Sequence, residues 1–246
     1  MLPPKVRSRI EIAAREVALE SLGTFGSVVG PRTGPNQRSQ NKKDDFCVRQ
    51  MILGLVEIES VELPRTIEML DPDPEGRWPD ALFSWPDGSS SGLEITEATS
   101  EEYQSQLTKE ERIASKLPED EIAVFDASVD GYVGAPTKAI ACRIAEAIVR
   151  KGRVRNAGTK YSGVSICDLL IYENSDGSPF VESDTTEDAS KVILDLRFGN
   201  HELLPAYLDS FRFVHLLIAN FYVHSILGNP KIRQVGPRDT ASKVAS

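Results

Sequence analysis

The chain has 246 residues, of which 28 are Lys or Arg and 37 are Asp or Glu, so its formal net charge is −9. With 40% hydrophobic and 26% charged residues, the composition is that of a globular protein and excludes a disordered or collagen-like chain. An acidic total argues against nucleic-acid binding, because phosphate groups are neutralised by clustered Lys and Arg. That argument holds only if the charge is spread evenly along the chain.

The first 43 residues are basic, with eight Lys or Arg against three acids. Apolar residues at helical spacing predict a short helix over residues 7 to 22. Gly, Pro, Ser and Asn are frequent from residue 23 to residue 43, which is typical of a linker or mobile loop. The sequence therefore predicts a basic N-terminal helix and flexible arm over residues 1–43, followed by a single domain over residues 44–246.

Helices and strands alternate in the predicted domain. The predicted helices cover residues 44–60, 101–117, 137–151 and 187–196. The predicted strands cover residues 66–70, 80–85, 92–98, 122–127, 166–172, 211–218 and 221–226. Mixed strands and helices must stack in layers to bury both faces of a sheet, so we expect an α/β sandwich built on one mixed sheet.

The sequence shows no sign of a membrane or secretory protein. Its longest nearly apolar run, residues 213–223, falls well short of the ~20 residues that span a bilayer, and the N-terminus lacks the features of a secretory signal. We therefore expect a cytoplasmic protein. Cys47, Cys142 and Cys167 are widely separated and lack a C-x-x-C pair, which favours buried free thiols over disulfides or a zinc site.

Two acidic residues stand on neighbouring predicted strands. Asp80 opens one strand, and Glu94 lies inside the next, otherwise apolar strand. If these strands pair through the intervening turn, the two carboxylates converge at one end of the sheet as hard oxygen donors, the kind that Mg²⁺ or Mn²⁺ binds. The peptide carbonyl of Ile95 is a candidate third ligand. Such an ion would activate a water molecule for attack on a phosphodiester.

Pro79-Asp80, a spacer and then Glu94-Ile95-Thr96 resemble the signature of the restriction-endonuclease-like PD-(D/E)xK nuclease superfamily. That signature is Pro-Asp followed, ten or more residues later, by Glu-x-Lys on the next strand. The resemblance covers residues 44 to 226 and implies a restriction-endonuclease-like α/β/α sandwich with a central mixed sheet. It also implies a divalent-metal-dependent nuclease in which Asp80 and Glu94 bind the metal, with DNA as the substrate and RNA as the alternative.

This sequence departs from the signature at Thr96, where the family has a lysine. In the family that lysine positions the attacking water or stabilises negative charge, whereas a threonine hydroxyl can only hydrogen-bond the water. Three explanations stay open: Lys109 or Lys116 of the next helix has taken over the role, Thr96 and the metal suffice, or the site is degenerate. The resemblance also offers Glu57 or Glu59 of the preceding helix as an assisting acid.

Positive charge is concentrated in one later segment. Residues 138–160 hold seven basic residues and one acid, whereas residues 57–130 hold 20 acids and five bases. A helix that buries its apolar side in this segment would present a basic rim to a phosphate backbone. The predicted nucleic-acid contacts are Arg143, Arg150, Lys151, Arg153, Arg155 and Lys160.

Three classes of function remain open from the sequence. The first is a metal-dependent nuclease whose catalytic residues are Asp80, Glu94 and Thr96. The second is a catalytically degenerate nuclease-fold module that binds nucleic acid or a protein partner without cleavage. The third is a subunit whose acidic face, within residues 57–130, docks a protein partner. A glycosidase with the same two carboxylates ranks below these, because few aromatic residues for sugar stacking lie nearby. A homodimer is also left open.

Overall fold

The computed structural model describes residues 3–22, 37–98, 137–158, 160–173, 186–199, 201–202, 204–218, 221–226 and 228–235. The helix predicted at residues 101–117 and the strand predicted at residues 122–127 lie outside these ranges. Where the chain is described, it forms one eight-stranded sheet with helices packed on both faces. None of the described helices is long and apolar enough to cross a membrane.

The strands lie side by side in the sheet in the same order as in the sequence. The strands are β1 (Val6–Glu11), β2 (Thr66–Leu70), β3 (Ala81–Ser84), β4 (Ser90–Glu97), β5 (Cys167–Glu173), β6 (Val214–Ile218), β7 (Phe221–His224) and β8 (Lys231–Gln234). Neighbouring strands are antiparallel except for the parallel pairs β4–β5 and β5–β6. The sheet is therefore mixed, and the predicted α/β class with one mixed sheet is confirmed.

Helices cover the two faces of the sheet. They are α1 (Ala18–Leu22), α2 (Gln37–Val56), α3 (Thr137–Asn156) and α4 (Thr186–Phe198), with a 3₁₀ helix at Leu204–Ser210. Alternate residues of β5 point to opposite faces: Leu169 and Ile171 share a core with α3 and α4, whereas Leu170 and Tyr172 share a core with α1 and α2. Every residue of β5 is buried, as expected for the central strand of a sheet covered on both sides.

The prediction of one helix over residues 7–22 is wrong. Most of this segment is β1, which pairs with β2 at the edge of the sheet, and only the five residues of α1 are helical. The strand is favoured because Ile10 enters the core while Arg9 reaches across to Glu68, at 3.1 Å. Residue 43, after which the sequence predicts a boundary, lies inside α2.

Two smaller differences concern the rest of the chain. The sequence did not predict the 3₁₀ helix or β8, which pairs with β7 at the other edge of the sheet. Cys47 and Cys167 are buried free thiols, as expected, but Cys142 is exposed on α3. Ala141 and Ile144 of the same helix are buried. Cys142 therefore lies on the face of α3 that points away from the core.

Candidate functional site

The antiparallel pairing of β3 with β4 brings the two predicted carboxylates together. Ala81 lies opposite Leu93, so Asp80, which precedes β3, is level with Glu94. This approach requires glycine at position 92, because a Cβ there would lie 2.6 Å from Cγ of Pro79. Glu94 is buried and Asp80 is half-buried. Together they make an acidic pair at the start of β3.

Asp80 is poorly compensated by positive charge. Its Oδ2 accepts a hydrogen bond from the peptide N–H of Ile95 at 2.7 Å, and no basic side chain among the described residues forms an ion pair with it. Burial raises the pKa of Asp80 well above its ordinary value, and the charges of Glu94 and Asp44 raise it further. The Ile95 N–H and the more distant Lys151 only partly oppose this effect. Buried carboxylates that repel each other in this way favour a bound proton or cation.

The acidic residue that α2 contributes is Asp44, not Glu57 or Glu59. Asp44 is buried in the first half of α2, whereas Glu57 and Glu59 follow the C-terminal end of that helix and are exposed. The suggested assisting role of these two glutamates is therefore wrong. A signal for Asp44 was present in the sequence: it precedes the fully buried Cys47 and Val48 by three and four residues, so it lies on the apolar stripe of the helix.

Lys151 of α3 brings a cation to the carboxylate of Glu94. It forms an ion pair with Oε1 of Glu94. The sequence suggested Lys109 or Lys116 for this role, and both lie outside the described residues. Lys151 follows the fully buried Ile148 by three residues, so it lies on the side of α3 that faces the sheet. A lysine on an apolar stripe needs a buried acid nearby, which is the signal that could have identified it.

Thr96, at the signature's lysine position, also receives a positive charge from α3. Its side chain is buried, and its Oγ1 accepts a hydrogen bond from Nη2 of Arg150 at 3.0 Å. The same nitrogen is 3.4 Å from the carbonyl oxygen of Glu97. Two consecutive residues of α3 thus bring two cations to a strand whose own signature residue is uncharged. The Thr96 hydroxyl keeps its proton to donate.

Glu97 extends the acidic region towards α2. Its Oε2 accepts a hydrogen bond from Nζ of Lys43 at 3.1 Å. Its Oε1 is buried and has no hydrogen-bond partner in the part of the chain that the structure describes. Burial, and then the charge of Asp44, raise the pKa of the Cys47 thiol well above its ordinary value, with smaller contributions from Glu97 and Asp80. These acids therefore surround one buried thiol.

Tyr161 covers the site from the loop after α3. Its side chain is buried, its φ is 59°, and its peptide N–H donates to the carbonyl of Gly76 at 2.8 Å. Burial, and then the charge of Glu94 together with a hydrogen bond to it, raise the pKa of Tyr161. A left-handed non-glycine residue costs about 1–2 kcal/mol, and such strain concentrates at functional sites. No feature of the sequence indicated Tyr161.

The predicted nucleic-acid contacts fall into three groups. Arg143 is mostly buried and forms an ion pair with the buried Glu173 at 3.1 Å, so it is part of the interior. Lys151 and Arg150 belong to the carboxylate site, as described above. Arg153 and Lys160 are exposed, and Arg155 is half-buried. An open groove of about 790 Å³ runs along the exposed side of α3 and is lined by Arg150 and Arg153.

The donor set fits a magnesium-type ion with an incomplete protein shell. Within the described residues, no three His, Cys, Asp or Glu side chains are arranged to hold a metal ion. Mg²⁺ keeps several waters and is usually held by one or two carboxylates, and Asp80 and Glu94 can provide these. The peptide of Ile95 contacts the site through its N–H, whereas the sequence suggested its carbonyl as a ligand.

In comparisons with known proteins, no family model, no curated protein and no solved structure matches this chain. The fold and the site define a mixed α/β protein with a buried carboxylate pair beside two cations of α3.

Proposed function

We propose that this protein is a divalent-metal-dependent nuclease of the restriction-endonuclease-like type, which hydrolyses phosphodiester bonds of DNA, with RNA as the alternative substrate. The observation that carries the proposal is the under-compensated carboxylate Asp80 beside Glu94, with Lys151 and Arg150 at the same place. Phosphodiester hydrolysis needs such a combination, because carboxylates bind the metal and cations stabilise the charge that develops on phosphate. The helices on both faces of a mixed sheet support the proposed fold type.

Asp80 and Glu94 would hold Mg²⁺ or Mn²⁺, which supplies a Lewis acid for the phosphate and lowers the pKa of the attacking water. The ammonium group of Lys151 exchanges part of its contact with Glu94 for a phosphate oxygen. The Thr96 hydroxyl, held by Arg150, orients the attacking water through a hydrogen bond. Arg150 and Lys151 of α3 thus provide the positive charge that the signature lysine provides in the family. Thr96 orients the attacking water.

The groove along α3 gives a nucleic-acid strand a path to the carboxylates. Arg150 lies both in the groove and at Thr96, so it links the two features. Arg153 is one helical turn further along the groove and is exposed. Backbone phosphates bound by these arginines would position the scissile bond without reading its sequence.

Cleavage assays test the proposal directly. Supercoiled plasmid, linear DNA and single-stranded RNA are incubated with the protein in Mg²⁺, Mn²⁺ or EDTA. We expect metal-dependent cleavage that falls about 100-fold or more in Asp80→Asn and in Glu94→Gln, the scale seen when a key electrostatic group is removed. Glu59→Gln is the matched control, because Glu59 is an exposed acid away from the site, and it should cleave like the wild type. Cleavage that survives in both site variants contradicts the assignment.

One observation favours a second function, that of a nuclease-fold module that binds nucleic acid without cleaving it. The described residues contain no ready-made three-ligand metal group, and Lys151 already forms an ion pair with Glu94. This alternative predicts salt-sensitive DNA binding that does not require a metal. Binding should weaken in the triple variant Arg150→Ala, Lys151→Ala, Arg153→Ala, and cleavage should be absent under all conditions.

A further inference from the structure

A second cavity lies at the other end and on the other face of the sheet. Its volume is about 380 Å³, and Trp85 and Phe213 are among its lining residues. Trp85 follows β3, whereas Asp80 precedes it. Met51 and Leu55 of α2 cover the cavity, while the side chains of Glu94 and Thr96 point towards α3. The cavity is therefore separate from the carboxylate site.

One wall of the cavity is a stack of planar groups. The guanidinium carbon of Arg212 lies 5.0 Å from the centroid of the Trp85 ring and 5.1 Å from that of Phe213. Arg212 is fixed in this position by two hydrogen bonds to Asp168, of 2.9 and 2.6 Å, and by one to Ser91 of 3.1 Å. The three groups are thus held together in a stack, and Asp168 balances the positive charge of Arg212.

Two histidines form the polar part of the lining. The rings of His215 and His224 are 5.0 Å apart, and Nδ1 of His215 is 3.0 Å from the hydroxyl of Tyr222. Burial lowers the pKa of His215 well below its ordinary value and lowers that of His224 to about 4. Both imidazoles are therefore uncharged at neutral pH, and each has one donor and one acceptor nitrogen.

The rim of the cavity is acidic. Glu62 and Asp87 are exposed there, beside the hydroxyl-bearing Ser60 and Ser89. Arg212 is the one cationic side chain among the described lining residues, and its charge is balanced internally. The ammonium group of Lys231 donates a hydrogen bond to Ser60 at this rim. Two carboxylates against this one cation leave the rim net acidic, so the electrostatics disfavour anions.

We propose that this cavity binds an uncharged nitrogen heteroaromatic ring system of the size of a purine nucleoside. The volume falls within the range of small-molecule sites, which are mostly apolar with a few convergent polar groups. A planar ring extends the stack formed by Trp85, Arg212 and Phe213, as bases stack on aromatic and arginine planes. The neutral histidines hydrogen-bond its ring nitrogens and exocyclic groups. The proposal does not depend on phosphodiester hydrolysis.

The test uses adenosine as the probe and the full chain as the protein. Of the two tryptophans in the chain, Trp85 lines the cavity and Trp78 does not, so their indole N–H signals in an NMR titration serve as reporter and internal control. We expect saturable shifts of the Trp85 signal with a dissociation constant below ~1 mM. AMP should bind at least about 10-fold more weakly, because its phosphate meets the acidic rim.

Two variants of adjacent serines make the test specific. Ser89→Tyr places a ring in the cavity and should weaken adenosine binding about 10-fold or more. Ser90→Tyr is the matched control, because Ser90 is exposed and does not line the cavity, and it should bind like the wild type. The proposal is overturned if adenosine gives no saturable shift, if both variants bind equally, or if AMP binds as tightly as adenosine.

Discussion

Two aspartates of the sheet, Asp80 and Asp168, differ in how their charge is balanced. Asp168 accepts two hydrogen bonds from Arg212, of 2.9 and 2.6 Å, and one from the peptide N–H of Phe213 at 3.2 Å. Asp80 accepts one peptide N–H, and the two charges that shift its pKa most are the carboxylates of Glu94 and Asp44. Burial raises the pKa of both residues, but Arg212 opposes the effect at Asp168, whereas Glu94 and Asp44 add to it at Asp80.

The comparison shows that burial alone does not mark a functional acid. A buried charge that has a partner is part of the structure, since its desolvation is offset inside the protein. A buried acid surrounded by other acids destabilises the folded chain unless a proton or a cation joins it. The missing counter-charge at Asp80 is therefore the feature that indicates function, and the following variants test this difference.

The largest expected effect comes from removing the partner of Asp168. Arg212→Leu leaves a buried carboxylate without its cation, so the free energy of unfolding should fall by about 3–5 kcal/mol. Urea denaturation followed by circular dichroism measures this change. The double variant Arg212→Leu, Asp168→Asn removes the charge as well and should recover part of the loss. A single variant as stable as the wild type would show that Asp168 does not need Arg212.

The next effect concerns activity. Lys151→Met removes the ammonium group at Glu94, so phosphodiester cleavage should fall about 100-fold, or ~2.7 kcal/mol in transition-state stabilisation. Plasmid cleavage under single-turnover conditions measures the rate constant. Lys138→Met is the control, because Lys138 is an exposed lysine at the start of α3 and has no assigned role. Equal cleavage by the two variants would remove Lys151 from the proposed mechanism.

At Asp80 we predict a stabilising substitution. Asp80→Asn keeps an acceptor for the Ile95 N–H and removes the repelled charge, so metal-free protein at pH 7 should gain about 1 kcal/mol. Because the folded-state pKa of Asp80 is raised, its contribution to wild-type stability is complete below the ordinary value of 3.8 and is lost as the pH rises towards the folded-state pKa. Denaturation at several pH values should show this decline in the wild type and a smaller one in the variant. A destabilised Asp80→Asn variant would contradict the account.

The smallest expected effect is at Tyr161. Tyr161→Phe removes the hydroxyl near Glu94 but keeps the buried ring, so the free energy of unfolding should fall by about 0.5–1.5 kcal/mol. Thermal denaturation measures the change. Cleavage should fall less than in Lys151→Met, because the hydroxyl positions Glu94 and carries no charge. If cleavage falls as far as in Lys151→Met, Tyr161 has a larger role than positioning.

Much of the fold was predictable because it depends on local patterns. The strand carrying Glu94 and the helix of Ile144 and Ile148 are apparent from apolar periodicity. β1 was not, because Ile10, Ala13 and Ala14 are spaced as in a helix, and only the pairing with the partner strand β2 reveals a strand. An edge strand is stabilised by pairing with a strand that is distant in sequence, and this pairing cannot be predicted from local sequence patterns.

The candidate site was predictable in part for the same reason. Asp80 directly precedes β3 and Glu94 lies on β4, and a short turn joins these two strands, so the approach of the carboxylates follows from local pairing. The contact of Lys151 with Glu94 depends on how α3 crosses the sheet, and Asp44 approaches through the packing of α2. Lys151 and Asp44 are charged residues on the apolar stripes of their helices, so the sequence indicates that each needs a partner. The sequence does not identify that partner.

Metal binding tests the central claim most directly. The melting temperature of wild-type protein, Asp80→Asn and Glu59→Gln is measured with and without Mn²⁺, since a ligand that binds only the folded state raises it. We predict that Mn²⁺ raises the melting temperature of the wild type and of Glu59→Gln by the same amount and leaves that of Asp80→Asn unchanged. An equal rise in all three proteins, or no rise in the wild type, would contradict the claim that the missing counter-charge at Asp80 is a metal ion.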